Sequence, residues 1–492
     1  MTIRLLIPIF VAALLNACAS PAGMRYQNTD AVGLPPQVLG MLNSAGIPLD
    51  SMAAVAIRLS DGVTLLSHRP DASMQPASTM KLVTTMVGLE RLGPTYRWRT
   101  ELLSAAPVEN GVLRGDLTLC GGGDGDLTWE AFRRMLQTLR HKGIREIHGD
   151  LVLDRTLFQP TRTDVGVPPF DNEPDAEYNV IPDALLVNTN LLKIDLESDH
   201  QSVRARMTPA LDGVTIDMQM KLIDRTCDKW DDGWQTPVVE KTSTGSIHIQ
   251  FRGEFPRTCT ASSLINVLER DLFIDRLFRT LWAAEGGTFR GMVREGPATS
   301  TDAKLLAQHR SRTLADMLRV INKPSDNALT RLLFLTLGTQ ESAGDSTTLA
   351  RAEQQVAAWF RQIGVATDGY VAENGSGLSR KERLRPSQLA ALLVAEYHSN
   401  WAPEFLSSLP VVGLDGTMRR RLRDSPVASR ARMKTGTLNN VVALAGYVPD
   451  SMGQMHVVVA IINHKPGSAN LAGVGQPILD ALVDWMGRGG SK

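Results

Sequence analysis

The sequence predicts an α+β fold in which one antiparallel sheet is assembled from both ends of the chain and interrupted by a large insertion. Strand patterns lie near both termini, at 52–59, 63–67, 441–448 and 456–462. Helical periodicity dominates 314–337, whereas 96–290 carries short strand-like runs separated by Gly and Asp. Strands at both ends with helices between them favour a single sheet covered by helices.

The composition excludes several functional classes. The 492 residues carry 52 Lys and Arg against 52 Asp and Glu, so the formal net charge is zero. A nucleic-acid-binding protein needs a basic surface to displace phosphate counter-ions, so no nucleic-acid partner is expected. With 43% hydrophobic and 21% charged residues, the chain has the composition of a folded protein. Beyond the amino terminus it lacks the runs of about 18 apolar residues that transmembrane spans require.

The amino terminus predicts export. Met1–Arg4 is a short basic start, and the apolar run Leu5–Leu15 is too short to span a bilayer but fits a signal peptide, predicted here as 1–19. Two ways of processing remain open. Ala17–Ala19 fits ordinary cleavage before residue 20, whereas the four residues ending at Cys18 resemble a bacterial lipobox that would leave a lipid-anchored Cys18. The protein is therefore expected in the periplasm, either free or anchored to the outer membrane.

The remaining cysteines fit an oxidising compartment. Cys227 and Cys259 lie in one loop-rich region, and we expect a disulfide between them. Cys120 would then be a buried free thiol. The sequence has neither a CxxC nor an HExxH motif, and its nine histidines are scattered, so neither a metal nor a cofactor is predicted.

Residues 20–95 form the first part of the interrupted domain. A helix is expected around Pro36–Ala45, and Asp61-Gly62 is the turn of the first strand pair. A longer helix over 78–92 ends at Gly93-Pro94, which is a strong stop signal.

Residues 96–290 form the β-rich insertion, and residues 291–492 complete the interrupted domain. The clearest strand patterns of the insertion are the short apolar runs at 116–119, 150–154 and 214–218. Helices of the last part are predicted over 314–321, 327–337 and 477–486.

Ser78-Thr-Met-Lys81 places a serine and a lysine one turn apart at the start of the predicted helix. A lysine whose pKa is lowered by burial can take the hydroxyl proton and make the serine a nucleophile. The helix amino terminus would direct backbone N–H groups at a developing oxyanion. A Ser-x-x-Lys is expected by chance about twice in a chain of this length, and Ser78 could equally be a helix cap.

Two further motifs follow. Ser325-Asp326-Asn327 lies between two predicted helices, where it is either a helix cap or a group that relays a proton to a leaving amine and holds a substrate carbonyl. Lys434-Thr435-Gly436-Thr437 precedes the strands near the carboxyl end. It is either an edge lysine beside a bend or a site where the glycine admits a substrate backbone while the lysine and threonines hold a terminal carboxylate.

The three motifs together indicate an acyl-serine enzyme. Ser-x-x-Lys, Ser-Asp-Asn and Lys-Thr-Gly, in this order, are the signature of β-lactamases and penicillin-binding proteins. Chance occurrence of the two fixed tripeptides is on the order of one in a hundred. Ser325 lies 247 positions after Ser78, whereas Lys434 lies only 109 positions after Ser325, so the insertion falls between the first two motifs.

The sequence resembles the class C low-molecular-mass penicillin-binding proteins of the D-alanyl-D-alanine carboxypeptidase/endopeptidase type, the PBP4-like or DacB family. The resemblance covers nearly the whole mature chain. Its matching segments are Pro76–Leu82, Gly121–Asp124, Gly149–Asp154, Asn374–Arg380, Leu409–Thr417, Lys434–Leu438 and Ala443–Tyr447.

The resemblance implies a β-lactamase/transpeptidase-like domain split by two smaller domains. It also implies a penicillin-binding serine D,D-peptidase that acts on peptidoglycan stem peptides and their cross-links and is inhibited by β-lactams. Carried over residue by residue, it makes Ser78 the nucleophile and Lys81 its base. Ser325, Asn327 and Lys434 would complete proton transfer and substrate positioning. Thr435, Gly436 and Thr437 would bind substrate, with the N–H groups of Ser78 and Thr437 as the oxyanion hole.

One segment departs from the family pattern. Members often carry tryptophans and an acidic residue where an overhanging segment receives the free amino end of the substrate. The corresponding stretch here, 166–173, has no tryptophan. Asp171 either supplies the carboxylate or is an exposed turn residue, which bears on substrate preference rather than on the reaction.

Two other functions remain open. A β-lactamase would share the acylation chemistry but would also need an activated water for fast deacylation, and no motif dedicated to that is present. A non-catalytic scaffold that binds the cell wall is disfavoured by the intact set of five motif side chains.

Overall fold

The computed structural model describes residues 33–162, 170–171, 173–298, 302–340, 346–465 and 471–490. The predicted signal peptide over 1–19, including Cys18, lies outside these residues. In the described part of the chain, none of the helices combines the length and apolar character needed to cross a bilayer.

The ten helices within the described ranges occupy these residues: α1 Pro36–Ser44, α2 Met80–Leu92, α3 Trp129–His141, α4 Arg270–Ala284, α5 Leu314–Asn322, α6 Asn327–Leu337, α7 Thr348–Gln362, α8 Pro386–Tyr397, α9 Ala402–Ser408 and α10 Leu471–Gly487. The strands of the same ranges are β1 Met52–Arg58, β2 Thr64–His68, β3 Arg99–Ser104, β4 Val108–Glu109, β5 Val112–Leu113, β6 Leu117–Cys120, β7 Glu146–Ile147, β8 Leu151–Asp154, β9 Leu192–Ser198, β10 Val203–Thr208, β11 Val214–Met218, β12 Lys221–Ile223, β13 Val238–Lys241, β14 Ile247–Phe251, β15 Glu254–Pro256, β16 Thr260–Ile265, β17 Thr288–Phe289, β18 Val293–Glu295, β19 Lys304–Arg310, β20 Arg432–Leu438, β21 Val441–Pro449 and β22 Met455–Asn463.

One antiparallel sheet joins the two ends of the chain, in the order β2-β1-β22-β21-β20. Strand β1 pairs with β22 so that Val55 lies opposite Val459. Successive side chains of β1 enter different cores, because side chains alternate between the faces of a strand. Val55 packs with α2 and α8, whereas Ala54 packs with α1 and α10. The predicted α+β fold with a sheet built from both termini is confirmed.

The inserted residues form several smaller sheets, the largest in the order β18-β8-β6-β3-β19. They also contain two helices, α3 and α4, that the strand-like texture of 96–290 did not predict. Helix α3 carries a readable signal: Thr128 caps it by accepting a hydrogen bond from the N–H of Ala131, and Phe132, Leu136 and Leu139 recur on one buried face. The insertion is therefore mixed α and β.

The chain enters and leaves the insertion at adjacent points. The Trp98 N–H donates to Ser311 Oγ at 2.9 Å, and the Ser311 N–H donates to the Trp98 carbonyl at 3.1 Å. Strands β18 and β19 follow residue 290 but pair with β8 and β3 of the insertion. We propose that the second boundary lies near Ser311, later than the expected boundary at 290.

The cysteines of the insertion differ in state. Cys227 and Cys259 are joined in a disulfide with their Cα atoms 5.3 Å apart. Cys120 is free, as expected, but it is half-buried rather than buried, and its thiol lies 3.7 Å from Asp154 Oδ2. Burial and the Asp154 carboxylate raise the pKa of the Cys120 thiol to about 12, so the thiol stays protonated and unreactive at neutral pH.

Candidate active site

Ser78 lies in a tight 3₁₀ turn, Ala77–Thr79, that leads into α2. Ala77 has a φ of +45°, in the left-handed region that most residues avoid. Gly377, with a φ of +84°, packs directly against this turn. A Cβ at this position would lie 1.8 Å from the Ala77 carbonyl oxygen. The strained turn leaves Ser78 half-exposed at the start of the helix.

Lys81 is fully buried beneath Ser78. Its Nζ lies 3.0 Å from Ser78 Oγ and donates to Asn327 Oδ1 and to the Ser376 carbonyl oxygen, each at 2.6 Å. Burial lowers the pKa of this amine to about 7, although Asp326 and Glu382 act in the opposite direction. A neutral amine has two N–H groups and one lone pair. Two carbonyl-type oxygens take the N–H groups, so the lone pair is left for the Ser78 hydroxyl.

The second motif lies in the loop between α5 and α6. Asp326 is the helix cap, since its carboxylate accepts from the Leu329 N–H at 2.8 Å. Ser325, at a φ of +70°, instead turns towards the carboxyl-terminal sheet and accepts a hydrogen bond from Lys434 Nζ at 2.7 Å. The amide of Asn327 contacts Lys81 through Oδ1 and donates through Nδ2 to the Tyr178 carbonyl at 3.0 Å. The motif thus supplies both a cap and two side chains facing the lysines.

The third motif lies on β20, at the edge of the central sheet. Lys434 is not an exposed edge lysine: it is fully buried and donates to Ser325 Oγ and to the Thr435 carbonyl. Burial and the nearby charge of Lys81 hold its pKa well below the usual value. A Cβ at Gly436 would lie 3.0 Å from the Ser78 nitrogen, so this glycine lets β20 approach the serine turn closely.

The two threonines of this motif differ in exposure. Thr435 is buried, and its hydroxyl pairs with that of Thr417 at 2.8 Å. Thr437 is exposed, and its hydroxyl accepts from Gln476 Nε2 at 3.4 Å. The structure therefore brings Ser78, Lys81, Ser325, Asn327 and Lys434 together, with one open hydroxyl at the rim.

Two groups that sequence reasoning missed act on Lys81. The first is the Ser376 carbonyl, which accepts a hydrogen bond from its Nζ. The second is Glu382, whose charge raises the pKa of Lys81. Glu382 is fully buried, and its Oε1 accepts the N–H groups of Glu373, Asn374 and Gly375 at 3.3, 3.1 and 2.8 Å. Both belong to or adjoin the segment 374–380 that carried the family resemblance without an assigned role.

Asp171 makes its hydrogen bonds to residues outside the three motifs. Its carboxylate accepts from the Glu173 N–H, from Tyr178 Oη at 3.0 Å and from Asn179 Nδ2 at 2.7 Å. It therefore orders the short segment whose Tyr178 carbonyl receives Asn327. Most of the stretch 166–173 lies outside the described residues.

Comparisons with known proteins show which family the chain is similar to. The model of the D-Ala-D-Ala carboxypeptidase 3 (S13) family matches residues 41–485. A D-alanyl-D-alanine carboxypeptidase of Actinomadura sp. is 30% identical over 500 residues, covering 98% of this chain and 90% of the relative. The carboxypeptidase DacB of Haemophilus influenzae is 26% identical, covering 83% and 84%. The crystal structure of penicillin-binding protein 4 (DacB) from Haemophilus influenzae superposes with a TM-score of 0.74, at 23% identity, over 92% of this chain and 100% of that one.

Proposed function

Because the chain belongs to the D-Ala-D-Ala carboxypeptidase 3 (S13) family, we propose that Ser78 is its nucleophile and Lys81 the general base. The chain is a serine-type D-Ala-D-Ala carboxypeptidase. The observation that carries the assignment is the buried Lys81 amine, which lies 3.0 Å from Ser78 Oγ and has a pKa of about 7. A base with this pKa is free to accept a proton at neutral pH.

The acylation step follows from these contacts. Ser78 Oγ attacks the carbonyl carbon of the scissile peptide bond and passes its proton to Lys81 Nζ. The oxyanion would be held by the N–H groups of Ser78 and Thr437. When the tetrahedral species collapses, the C–N bond breaks, and the proton that Lys81 took from Ser78 is returned to the leaving amine through the Ser325 hydroxyl, which Lys434 Nζ contacts at 2.7 Å. Lys81 is then neutral again. An acyl-Ser78 ester and a free terminal amino acid result.

Deacylation uses the same groups in reverse. A water molecule gives a proton to the neutral Lys81 and attacks the ester carbonyl, and Ser78 leaves with its proton restored. Burial and the nearby charge of Lys81 lower the pKa of Lys434. A substrate carboxylate bound by Thr435 and Thr437 would favour the charged form of Lys434, since opposite charges stabilise each other.

The substrates we propose are peptidoglycan stem peptides that end in D-Ala-D-Ala. We propose that the enzyme also cleaves peptide cross-links. The carbonyl that Ser78 attacks belongs to a D-alanyl residue in both substrates, and only the leaving amine differs. β-Lactams would acylate Ser78, and penicillin-binding protein 4 from Haemophilus influenzae has been crystallised with one. Asp171 is proposed to act on substrate preference through the Tyr178 segment.

Digestion of purified muropeptides with product analysis tests this function. The wild-type protein should release D-alanine from pentapeptides, Ser78→Ala should release none, and Ser44→Ala, at an exposed helix position, should behave as wild type. A labelled penicillin should form a long-lived adduct at Ser78. Rapid turnover of that label would instead indicate a β-lactamase, and absence of both adduct and D-alanine would indicate a scaffold.

We also propose that the protein is exported to the periplasm. The basic start and apolar run of the first 19 residues support this placement. Mass spectrometry of the protein isolated from its host tests the processing. A chain that begins at residue 20 indicates simple cleavage, and a diacylated Cys18 that is lost in Cys18→Ser indicates an anchor.

A further inference from the structure

A cavity lies beside α6. It has a volume of about 230 Å³, and Ser78, Lys81 and Lys434 do not line it. Its walls are mainly apolar and include Phe170, Phe334, Leu335 and Leu349, while the exposed Gln159 and Thr347 lie at its rim. This volume is somewhat below the ~300–1,000 Å³ of typical ligand sites. The cavity therefore suits a small, mostly apolar molecule.

Arg331 places a cation in this apolar wall. Its side chain is only 8% exposed, its Nη1 donates to the Val180 carbonyl at 3.1 Å, and its guanidinium lies 5.2 Å from the Phe170 ring. Within the described ranges no carboxylate comes within ion-pair distance of it, and Nε has no hydrogen-bond partner. Burial lowers the pKa of this guanidinium to about 10. An unpaired buried charge is costly, which makes an anion a favourable neighbour.

Asn374 adds a second unpartnered donor. Its Oδ1 accepts from both the N–H and the hydroxyl of Ser376, at 2.9 and 2.7 Å, so the amide cannot turn over without losing both bonds. The buried Nδ2 is left without a partner. The Glu373 carboxylate at the same wall is already engaged by Ser379 and Lys381. The cavity therefore offers two unpartnered donor atoms, Arg331 Nε and Asn374 Nδ2, beside a carboxylate that is already paired.

We propose that this cavity is a binding site for a small monocarboxylate with an aromatic or branched aliphatic body. The carboxylate would give Arg331 a counter-ion and Asn374 Nδ2 an acceptor. The apolar body would pack between Phe334, Leu335 and Leu349. The inference goes beyond the proposed peptidase function, because the site is separate from Ser78 and needs no covalent step.

Titration of 4-fluorophenylacetate, followed by ¹⁹F NMR, tests the site in the purified protein. Binding should saturate below about 10 mM and be at least about tenfold weaker for the neutral 4-fluorophenylacetamide. Affinity should be the same before and after incubation with benzylpenicillin. Equal binding of the amide, or no saturable binding of the acid, would overturn the proposal. Loss of binding on acylation would also overturn it, because the probe would then occupy the catalytic cleft.

Two variants locate the binding. Leu349→Trp should fill the cavity and weaken 4-fluorophenylacetate binding at least about tenfold. Leu305→Trp is the matched control, because Leu305 is 48% exposed on β19 and does not line the cavity. Arg331→Met should weaken the acid but not the amide, and thermal melting checks that each variant is folded. Unchanged binding by a folded Leu349→Trp or Arg331→Met would contradict the site.

Discussion

Lys81 Nζ donates to Asn327 Oδ1 at 2.6 Å across 246 positions of sequence. The contact joins the first helix motif to the second and takes one of the two N–H groups that the neutral amine can offer. A neutral acceptor at this position leaves the pKa of Lys81 low, because it adds no negative charge.

Asn327→Asp should move the activity of the enzyme to higher pH. A carboxylate 2.6 Å from the amine would stabilise its charged form and raise the pKa of Lys81. The rate of acylation at pH 7 should fall about tenfold for each unit by which the pKa rises. Stopped-flow acylation by a fluorescent penicillin across pH measures this, with the exposed Asn43→Asp as control. An unchanged pH profile would refute the contact.

The wild-type enzyme should acylate in its Lys81-neutral form. Burial favours the neutral amine and places the pKa of Lys81 at about 7, so the acylation rate should be low in acid and rise through neutrality to a plateau. The pH profile of kcat/KM for a D-Ala-D-Ala peptide reports this limb in the free enzyme. A limb near pH 10 would mean that Lys81 keeps its ordinary pKa.

Glu382→Gln should lower the stability of the loop 373–377 and shift the pKa of Lys81. The Glu382 carboxylate raises the pKa of Lys81, so its removal should lower that pKa and move the acidic limb to lower pH. The three backbone N–H groups would also lose a charged acceptor, which costs about 1–3 kcal/mol of unfolding free energy. Urea melts and pH–rate profiles test the two effects. Glu130→Gln, on an exposed face of α3, should change neither.

Gly377→Ala should abolish acylation. Its Cβ would lie 1.8 Å from the Ala77 carbonyl oxygen, so the turn that presents Ser78 would have to move. Gly364→Ala is a strict control, because Gly364 has a similar φ of +74° but open space around its Cβ position. Alanine has an unfavourable φ in both variants, but only Gly377→Ala also places a Cβ against the Ala77 carbonyl. A loss of acylation in Gly377→Ala alone therefore supports the steric explanation. Penicillin labelling, with circular dichroism to verify folding, distinguishes the two.

Loss of the disulfide should affect stability more than catalysis. The bond between Cys227 and Cys259 closes a loop with a sequence separation of 32 inside the insertion, and cross-links of this size contribute about 3–4 kcal/mol. Cys227→Ser/Cys259→Ser should therefore melt earlier, while acylation of Ser78 keeps its rate. A parallel loss of acylation in folded protein would show that the insertion is coupled to the catalytic residues.

Much of the fold was readable from the sequence because its periodicities are local. The strand-like runs that became β1, β21 and β22 predicted the sheet. Helices α3 and α4 were missed because the residues 96–290 were interpreted from their short strand-like runs and the Gly and Asp residues between them. The boundary expected at 290 and the one proposed near Ser311 differ because the pairing of β18 and β19 with β8 and β3 is non-local, so no local pattern indicates it.

The sequence by itself predicted the chemistry of this protein from two serines, two lysines, an asparagine and a threonine-bearing strand, in an order that indicates an acyl-serine enzyme. Only the tertiary structure decided how reactive those groups are. The pKa of Lys81 depends on burial and on carboxylates distant in sequence. Its orientation depends on the Ser376 carbonyl, a backbone group that every residue type carries and that no motif can reveal. A motif identifies the side chains, whereas their burial and the distances between them set their pKa values and their hydrogen bonds.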